Sequence, residues 1–317
     1  MTTPLTDSPA PPAPRRRARR GDRIFAGLTR AAGSVILVTL AGVTIFLVVQ
    51  SLPALTANGA DLPGGQGFLP YVAPLVFGTL LSAVIALILA VPMAVAIGLF
   101  ISHYAPRRLA QGLGYLVDLL AAVPSVVFGL WGIITLAPRL VPLYRWSAEH
   151  LGFVPFFAGP ASATGRTILT AGVVLAVMIL PIMTAICREV FLQTPVLHEE
   201  AALALGATRW EMIRMSVIPY GKAGVVSAAM LGLGRALGET LAVALVLSVG
   251  GGISLNLISQ SNPATVAANI ALKFPESTGL DVNTLIATGL VLFVITFLVN
   301  AGARAFLARR KDFSAAN

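Results

Sequence analysis

Six long apolar runs decide what this chain can fold into. They cover about 31–50, 71–101, 113–136, 167–187, 224–248 and 284–306. A run of roughly 20 apolar residues suffices to cross the hydrocarbon core of a bilayer. Inside that core every backbone N–H and C=O has to be satisfied by the protein, which leaves helices and closed barrels. The runs are continuous, not alternating, so the expected fold class is an all-α polytopic membrane protein with about six transmembrane helices. The composition agrees: 56% of the residues are hydrophobic and 11% charged, against about a quarter charged in soluble domains. The second run is long enough to tilt or to extend past the membrane. Pro92, Pro124 and Pro181 fall inside runs, where prolines kink helices.

A net charge of +9 does not point to nucleic acid, because topology accounts for its distribution. With the N-terminus inside, seventeen of the 22 Lys and Arg residues fall on cytoplasmic segments. Arg139, Arg145, Arg166 and Lys273 fall outside, and Arg235 falls within a run. This positive-inside asymmetry places both termini in the cytoplasm. Residues 1–30, Pro-rich and then Arg-rich, read as a disordered basic tail resting on anionic membrane lipid, without the form of a signal peptide. Residues 31–70 hold the first span and its outer loop, 71–306 the main transmembrane domain, and 307–317 a cytoplasmic tail. In the third outer loop, "ATVAANIALKF" suggests a short helix lying on the outer surface. Cys187, the sole cysteine, cannot form an internal disulfide and reads as a small apolar residue.

The longest inside loop follows the fourth run and reads "REVFLQTPVLHEEAALALGATRWEMIRMSVIPYGK". Thr194 and Pro195 offer a helix start, with Glu199 and Glu200 in the first turns. Gly206 offers a stop, and a second helix over about 208–216 is expected to end before Pro219. "AALALGA" is nearly all small side chains. A solvated amphipathic loop has no need of them, whereas a protein packed closely against the loop does.

The fifth run contains "MLGLGRALGETLAVALVLS", with Arg235 and Glu239 four residues apart and so expected on one helical face. Arg235 is about eleven residues into its run, roughly 16 Å deep and near the midplane. A central membrane charge is disfavoured by about 2.5–3.5 kcal/mol on insertion scales, so something must offset two of them. One reading is a structural ion pair that fixes register. The other is a substrate pathway, with Thr240 and Ser227 adding hydroxyls. Gly234 and Gly238 form a GxxxG pair that lets a neighbouring helix approach. Asp118, in the third run, is a third charge at moderate depth, read as a partner for Arg235 or for a partner chain, or as a carboxylate at the inner interface. His103, His150 and His198 show no metal-ligand spacing. The sequence has no phosphate-binding GxxxxGK[ST], no GxGxxG and no nucleophile motif. Catalysis by the chain itself is therefore not expected: no catalytic residue, no metal site and no bound cofactor.

"EEAALALGATRWEMIRMSVIPYGKAG" resembles the EAA loop of ABC importer permeases, through Glu200, Ala201, Ala202, Gly206, Ile218 and Pro219 at matching spacing. The resemblance implies a type I importer (MetI-like) permease core, with 191–222 as the loop that couples to an ATPase. It assigns that coupling to Glu200, Ala201, Ala202, Gly206, Ala207 and Arg209. "GLGRALGETLAV" and "AAVPSVVFGLWG" are similar to the phosphate-specific (Pst) importers, and the residues around Arg235 and Thr240 favour their C-type permease subunit over the A-type. The resemblance spans roughly 70–306.

What it implies is a subunit of a bacterial inner-membrane importer working by alternating access. The partners would be a second, A-type permease subunit in a heterodimer, two ATPase subunits that use ATP and Mg, and an extracytoplasmic phosphate-binding protein. Arg235 would then bind phosphate bidentately. Glu239 would neutralise it in the empty site and accept a hydrogen bond from a protonated phosphate oxygen, a proton that sulfate lacks near neutral pH. The rivals are an A-type subunit, a permease for sulfate or molybdate, a secondary transporter working without ATP, and a membrane scaffold.

Overall fold

The computed structural model describes residues 20–250 and 252–314. Residues 1–19 of the expected basic tail and 315–317 of the expected C-terminal tail lie outside the described residues. Six helices are long and apolar enough to cross a membrane: Ile24–Thr56, Phe68–Tyr104, Ser125–His150, Ile168–Leu192, Arg209–Gly238 and Leu280–Ala305. The chain is a multi-pass all-α membrane protein.

Residues up to Val49 and residues from Gln50 onward form two compact units. The first unit contains most of helix α1 (Arg20–Thr56). Val35, Leu37, Val38 and Phe46 on it are all exposed, and a helix apolar all round needs lipid or another chain as its surroundings.

In the second unit, α2 (Phe68–Leu99) packs along α6 (Ile168–Leu192), and α9 (Ile218–Gly238) packs against both. Ala83, Ala86, Ala90 and Ala94 recur at helical spacing on α2 and are fully buried. They share a core with Leu175, Ile179 and Met183 of α6. Lipid tails are as apolar as leucine, so membrane helices associate by close packing, and small side chains permit the approach. Gly172 and Gly232 continue the seam: a Cβ on the first would meet Ile85 Cγ2 at 2.5 Å, and one on the second Met183 Sδ at 2.7 Å.

Three π-helical turns share one arrangement. Phe100–Tyr104, Gly132–Leu136 and Ile213–Val217 each end two residues before a proline: Pro106, Pro138 and Pro219. In each, the residue just ahead of the proline donates its N–H five residues back, Ala105 to Phe100, Ala137 to Gly132 and Ile218 to Ile213. Proline lacks an N–H, and its ring clashes with the carbonyl four residues earlier. A widened turn moves that carbonyl aside. Pro219 therefore does not end the second helix of the long loop. Helical backbone continues from α8 (Arg209–Met212) through the wide turn into α9, which corrects the expected stop at 216.

The third span also shifts. Val123 and Pro124 break the expected run 113–136 into α3 (Arg107–Ala121) and α4 (Ser125–Trp131), because a residue before proline is pushed out of helical geometry. The apolar span is α4 continued through the π turn into α5 (Ala137–His150). Helix α3 instead exposes Leu109, Tyr115, Leu116 and Leu119. The short helix expected on the outer surface is α11 (Val266–Lys273). Its Val266, Ala267, Ala268 and Asn269 are buried, and the Val266 N–H donates to Thr79 Oγ1 at 2.9 Å, so α11 dips into the bundle. Helix α7 (Val196–Ala204) precedes α8, α10 (Leu241–Val246) follows α9, and α12 (Leu280–Ser314) closes the chain.

Candidate functional site

The helix that carries Arg235 ends three residues later, at Gly238. Glu239 is extended (φ −68°, ψ 128°), and the chain restarts as α10 after Thr240. Arg235 and Glu239 therefore do not share a continuous helix, and among the described residues no ion pair joins them. The expected pair is corrected for a local reason. Glu239 Oε1 accepts the Ala242 N–H at 3.2 Å, so the carboxylate caps the first turn of α10, where negative charge is favoured. Its Oε2 has no partner among the described residues. Thr240 is half-buried, and its carbonyl accepts the Ala244 N–H at 3.0 Å.

The other end of α10 is held by Arg166, whose Nη2 donates to Leu245 O at 3.1 Å and Leu247 O at 3.3 Å. A carboxylate at the start of α10 and a guanidinium at its end both match the helix dipole. Gly129 on α4 fits against the middle: a Cβ there would lie 2.8 Å from Ala242 Cα. The broken segment is thus held from three sides.

Arg235, half-buried, opens into a cavity of about 570 Å³ between α6, α9 and α12, lined by Ile182, Ser227, Leu231, Gly234, Asn300 and Arg304 among others. Ser227 is exposed, and its hydroxyl donates to Ala223 O at 2.9 Å. Asp118 is not near this cavity. It is exposed on α3 and faces Arg188 Nη2 at 3.8 Å, where Gly114 leaves room for the Arg188 guanidinium. Asp118 therefore does not serve as a partner for Arg235 in this structure.

In the loop that follows α6, α7 ends at Gly206 in a left-handed conformation (φ +87°). The Ala207 N–H donates to Ala202 O at 3.2 Å and the Gly206 N–H to Leu203 O at 3.0 Å, the bonds of a Schellman ending. Thr208 and Glu211 then form a capping box that starts α8; the spacing T-x-x-E was its signal. Thr194, expected as a cap for α7, is buried with its Oγ1 unpartnered, and Pro195 takes the cap position without a side-chain bond. Glu200, Ala201, Gly206 and Arg209 are exposed, and Ala202 and Ala207 half-buried. Leu197 and Leu205 are 76% and 90% exposed on the same bend. His103, in the π turn that continues α2, places Nε2 3.3 Å from Glu199 Oε1 and Nδ1 2.7 Å from Ser102 Oγ. This link between a span and the bend around Gly206 has no signal in the sequence. Among the described residues no cluster of three or more His, Cys, Asp or Glu is placed to hold a metal.

Residues 94–312 match the family model described as "Binding-protein-dependent transport system inner membrane component". The chain is 49% identical, over 96% of its own length and 97% of the relative's, to "Phosphate transport system permease protein PstC 2" of Mycobacterium bovis. It is 45% identical, over 92% and 95%, to "Phosphate transport system permease protein PstC" of Mycobacterium leprae. Among solved structures it is similar in fold to a bacterial ABC transporter involved in the import of the acidic polysaccharide alginate, with 17% identity, a TM-score of 0.51 and coverage of 89% of this chain and 99% of the other.

Proposed function

This chain belongs to the binding-protein-dependent transport system inner membrane components, and from that premise we propose that it is the C-type permease subunit of an ATP-driven importer of inorganic phosphate. It is a transport subunit and not an enzyme. The relatives named as phosphate permeases, at 45–49% identity over nearly the whole chain, support the substrate.

The observation that carries the reading is the helix break directly beyond Arg235. Discontinuous membrane helices place charged groups where a substrate can reach them while neighbouring elements satisfy the freed backbone. Here Glu239 is held aside by Ala242, so Arg235 faces its cavity without a carboxylate on it. A guanidinium in a low-dielectric passage binds an oxyanion bidentately. Glu239 Oε2 is available to accept a hydrogen bond from a phosphate that retains a proton, which disfavours sulfate. The exposed bend around Gly206 docks an ATPase subunit through Leu197, Leu205 and the small face of Ala201 and Ala202. The capping box and the continuous α8–α9 helix carry movement of that bend into the span holding Arg235. A second permease subunit, two ATPase subunits and an extracytoplasmic phosphate-binding protein complete the importer, with both termini of this chain cytoplasmic.

Uptake of radiolabelled phosphate into proteoliposomes holding the whole importer tests this, with Arg235→Gln in parallel and ATP hydrolysis recorded in both. The expected variant hydrolyses ATP and moves no phosphate. Normal transport by the variant overturns the role of Arg235, and sulfate uptake at a comparable rate with the binding protein bypassed overturns the role of Glu239.

A further inference from the structure

The cavity beside Arg235 contains a second guanidinium that the pathway reading does not use. Arg304 of α12 lines it, together with Asn300 one turn earlier and Ser227 of α9. Asn300 and Arg304 are four residues apart and so share a helical face. No acidic residue lines the cavity, and neither arginine has an ion-pair partner among the described residues. The Asn300 amide likewise has no hydrogen-bond partner there. An arginine serving only to anchor the helix at the interface needs lipid or water around it. It does not need an amide and a hydroxyl gathered into the same cavity with a second arginine.

The two arginines sit at different depths. Arg304 is five residues ahead of the basic run that begins at Arg309, Arg310 and Lys311, which the positive-inside pattern puts at the cytoplasmic boundary. Arg235 is eight residues beyond Ser227 on α9, about 12 Å further along the axis. Two unpaired cations in one concave space raise the local concentration of anions. The Ser227 hydroxyl already donates to Ala223 O, so its oxygen remains to accept from a protonated oxyanion, while Arg304 and Asn300 donate.

We infer that Arg304, with Asn300 and Ser227, forms a second site for a phosphate group at the cytoplasmic mouth of the Arg235 cavity. The inference rests on the reading that Arg235 belongs to the pathway. A phosphate leaving Arg235 moves to Arg304 before reaching water, so the deep arginine is cleared without the full charge separation. The same chemistry fits the phosphate of an anionic lipid headgroup entering from the inner leaflet, and the experiment separates the two sources.

Binding of radiolabelled inorganic phosphate is measured on the whole importer in nanodiscs, without ATP or binding protein. Wild type, Arg304→Gln, Arg304→Lys and Arg235→Gln are compared in discs of zwitterionic lipid alone and in discs that also contain anionic lipid. ATP hydrolysis reports that each variant is assembled. A lost charge-assisted contact weakens binding roughly tenfold. In zwitterionic discs Arg304→Gln is expected to lose one class of phosphate site by that factor, and Arg304→Lys to recover part of it. If phosphate binding is unchanged in Arg304→Gln but enrichment of co-purified anionic lipid falls, the headgroup is the occupant and the site stands. If neither changes while Arg235→Gln loses phosphate, the second site is overturned and the pathway reading survives. Unchanged binding in Arg235→Gln overturns the pathway reading itself. Should Arg304→Gln fail to assemble, Ser227→Ala and Asn300→Ala carry the test: unchanged binding and lipid enrichment in both overturns the site.

Discussion

Glu239 Oε1 accepts the Ala242 N–H at 3.2 Å, which makes the carboxylate a helix cap and keeps it off Arg235, one turn back. Removing a cap costs about 1 kcal/mol, and an amide oxygen caps nearly as well as a carboxylate. Glu239→Gln is therefore expected to keep the thermal stability of the purified importer, and Glu239→Ala to lower it. Phosphate uptake separates the structural part from the chemical one. If Glu239 also receives a phosphate proton, Glu239→Gln transports poorly despite its stability. Wild-type uptake in Glu239→Gln would confine the residue to capping.

Gly129 offers a purely steric test of the same segment. An added Cβ would lie 2.8 Å from Ala242 Cα and 3.1 Å from Leu245 Cδ1. The nearer atom is backbone and cannot rotate away. Overpacking of this kind costs about 1–3 kcal/mol, and here the element pushed is the short helix beyond Arg235. Gly129→Ala is expected to abolish most uptake while ATP hydrolysis persists. Full uptake would show that α4 does not position α10.

Arg166 holds the far end of α10 through Leu245 O and Leu247 O. Hydrogen bonds to charged groups contribute about 1.5–3 kcal/mol, and the two carbonyls cannot find partners elsewhere on a six-residue helix. Arg166→Leu is expected to lower the melting temperature of the importer more than Arg139→Leu, whose guanidinium only reaches an exposed carbonyl of its own helix at 3.4 Å. Equal shifts in the two variants would contradict the role given to Arg166.

What the sequence made legible follows from which forces are local. Six apolar runs give six spans because bilayer thickness and backbone satisfaction leave no other solution. The Gly206 stop is equally local, since only a residue at ease with φ +87° ends a helix that way. The break at Glu239 was not legible: "GETLAV" has no proline, and an apolar run carries no mark of where a helix stops. What fixes it is tertiary, namely Arg166 on one end of α10 and Gly129 against its middle. Helix α11 was misplaced for the same reason, its burial depending on a hydrogen bond to Thr79, some 187 residues away. A moderate depth for Asp118 follows only while Pro124 is taken as a kink inside the third run, whereas Pro124 separates amphipathic α3 from the span.

His103 and Glu199 connect the π turn that continues α2 to the bend around Gly206 across 3.3 Å. Both side chains are largely buried, 9% and 21% exposed, so the contact is shielded from competing water. If it passes movement of the bend to α2, its loss separates hydrolysis from transport. His103→Ala is expected to lower the phosphate moved per ATP roughly two- to fivefold, in proportion to a hydrogen bond of about 0.5–1 kcal/mol, with the basal hydrolysis rate kept. An unchanged ratio would make the pair a packing contact only.

On the proposed function, Leu205 is expected to touch the ATPase subunit. It is 90% exposed beside Gly206, with Leu197 also bare on the preceding helix, and large apolar groups gathered on one bend imply a partner that covers them. A cysteine at this position, Leu205→Cys, is expected to cross-link to the ATPase subunit in membranes under mild oxidation, provided a cysteine is placed in the facing cleft. Leu205→Ser is expected to weaken co-purification of the ATPase while the permease pair stays folded, because the side chain is almost fully exposed among the described residues. Gly206→Ala acts differently: it strains the left-handed backbone, by about 1 kcal/mol, and tilts the bend without removing contact area. That variant should retain the ATPase and transport poorly. Loss of the ATPase in Gly206→Ala but not in Leu205→Ser would show that the shape of the bend, and not the apolar side chain, makes the interface.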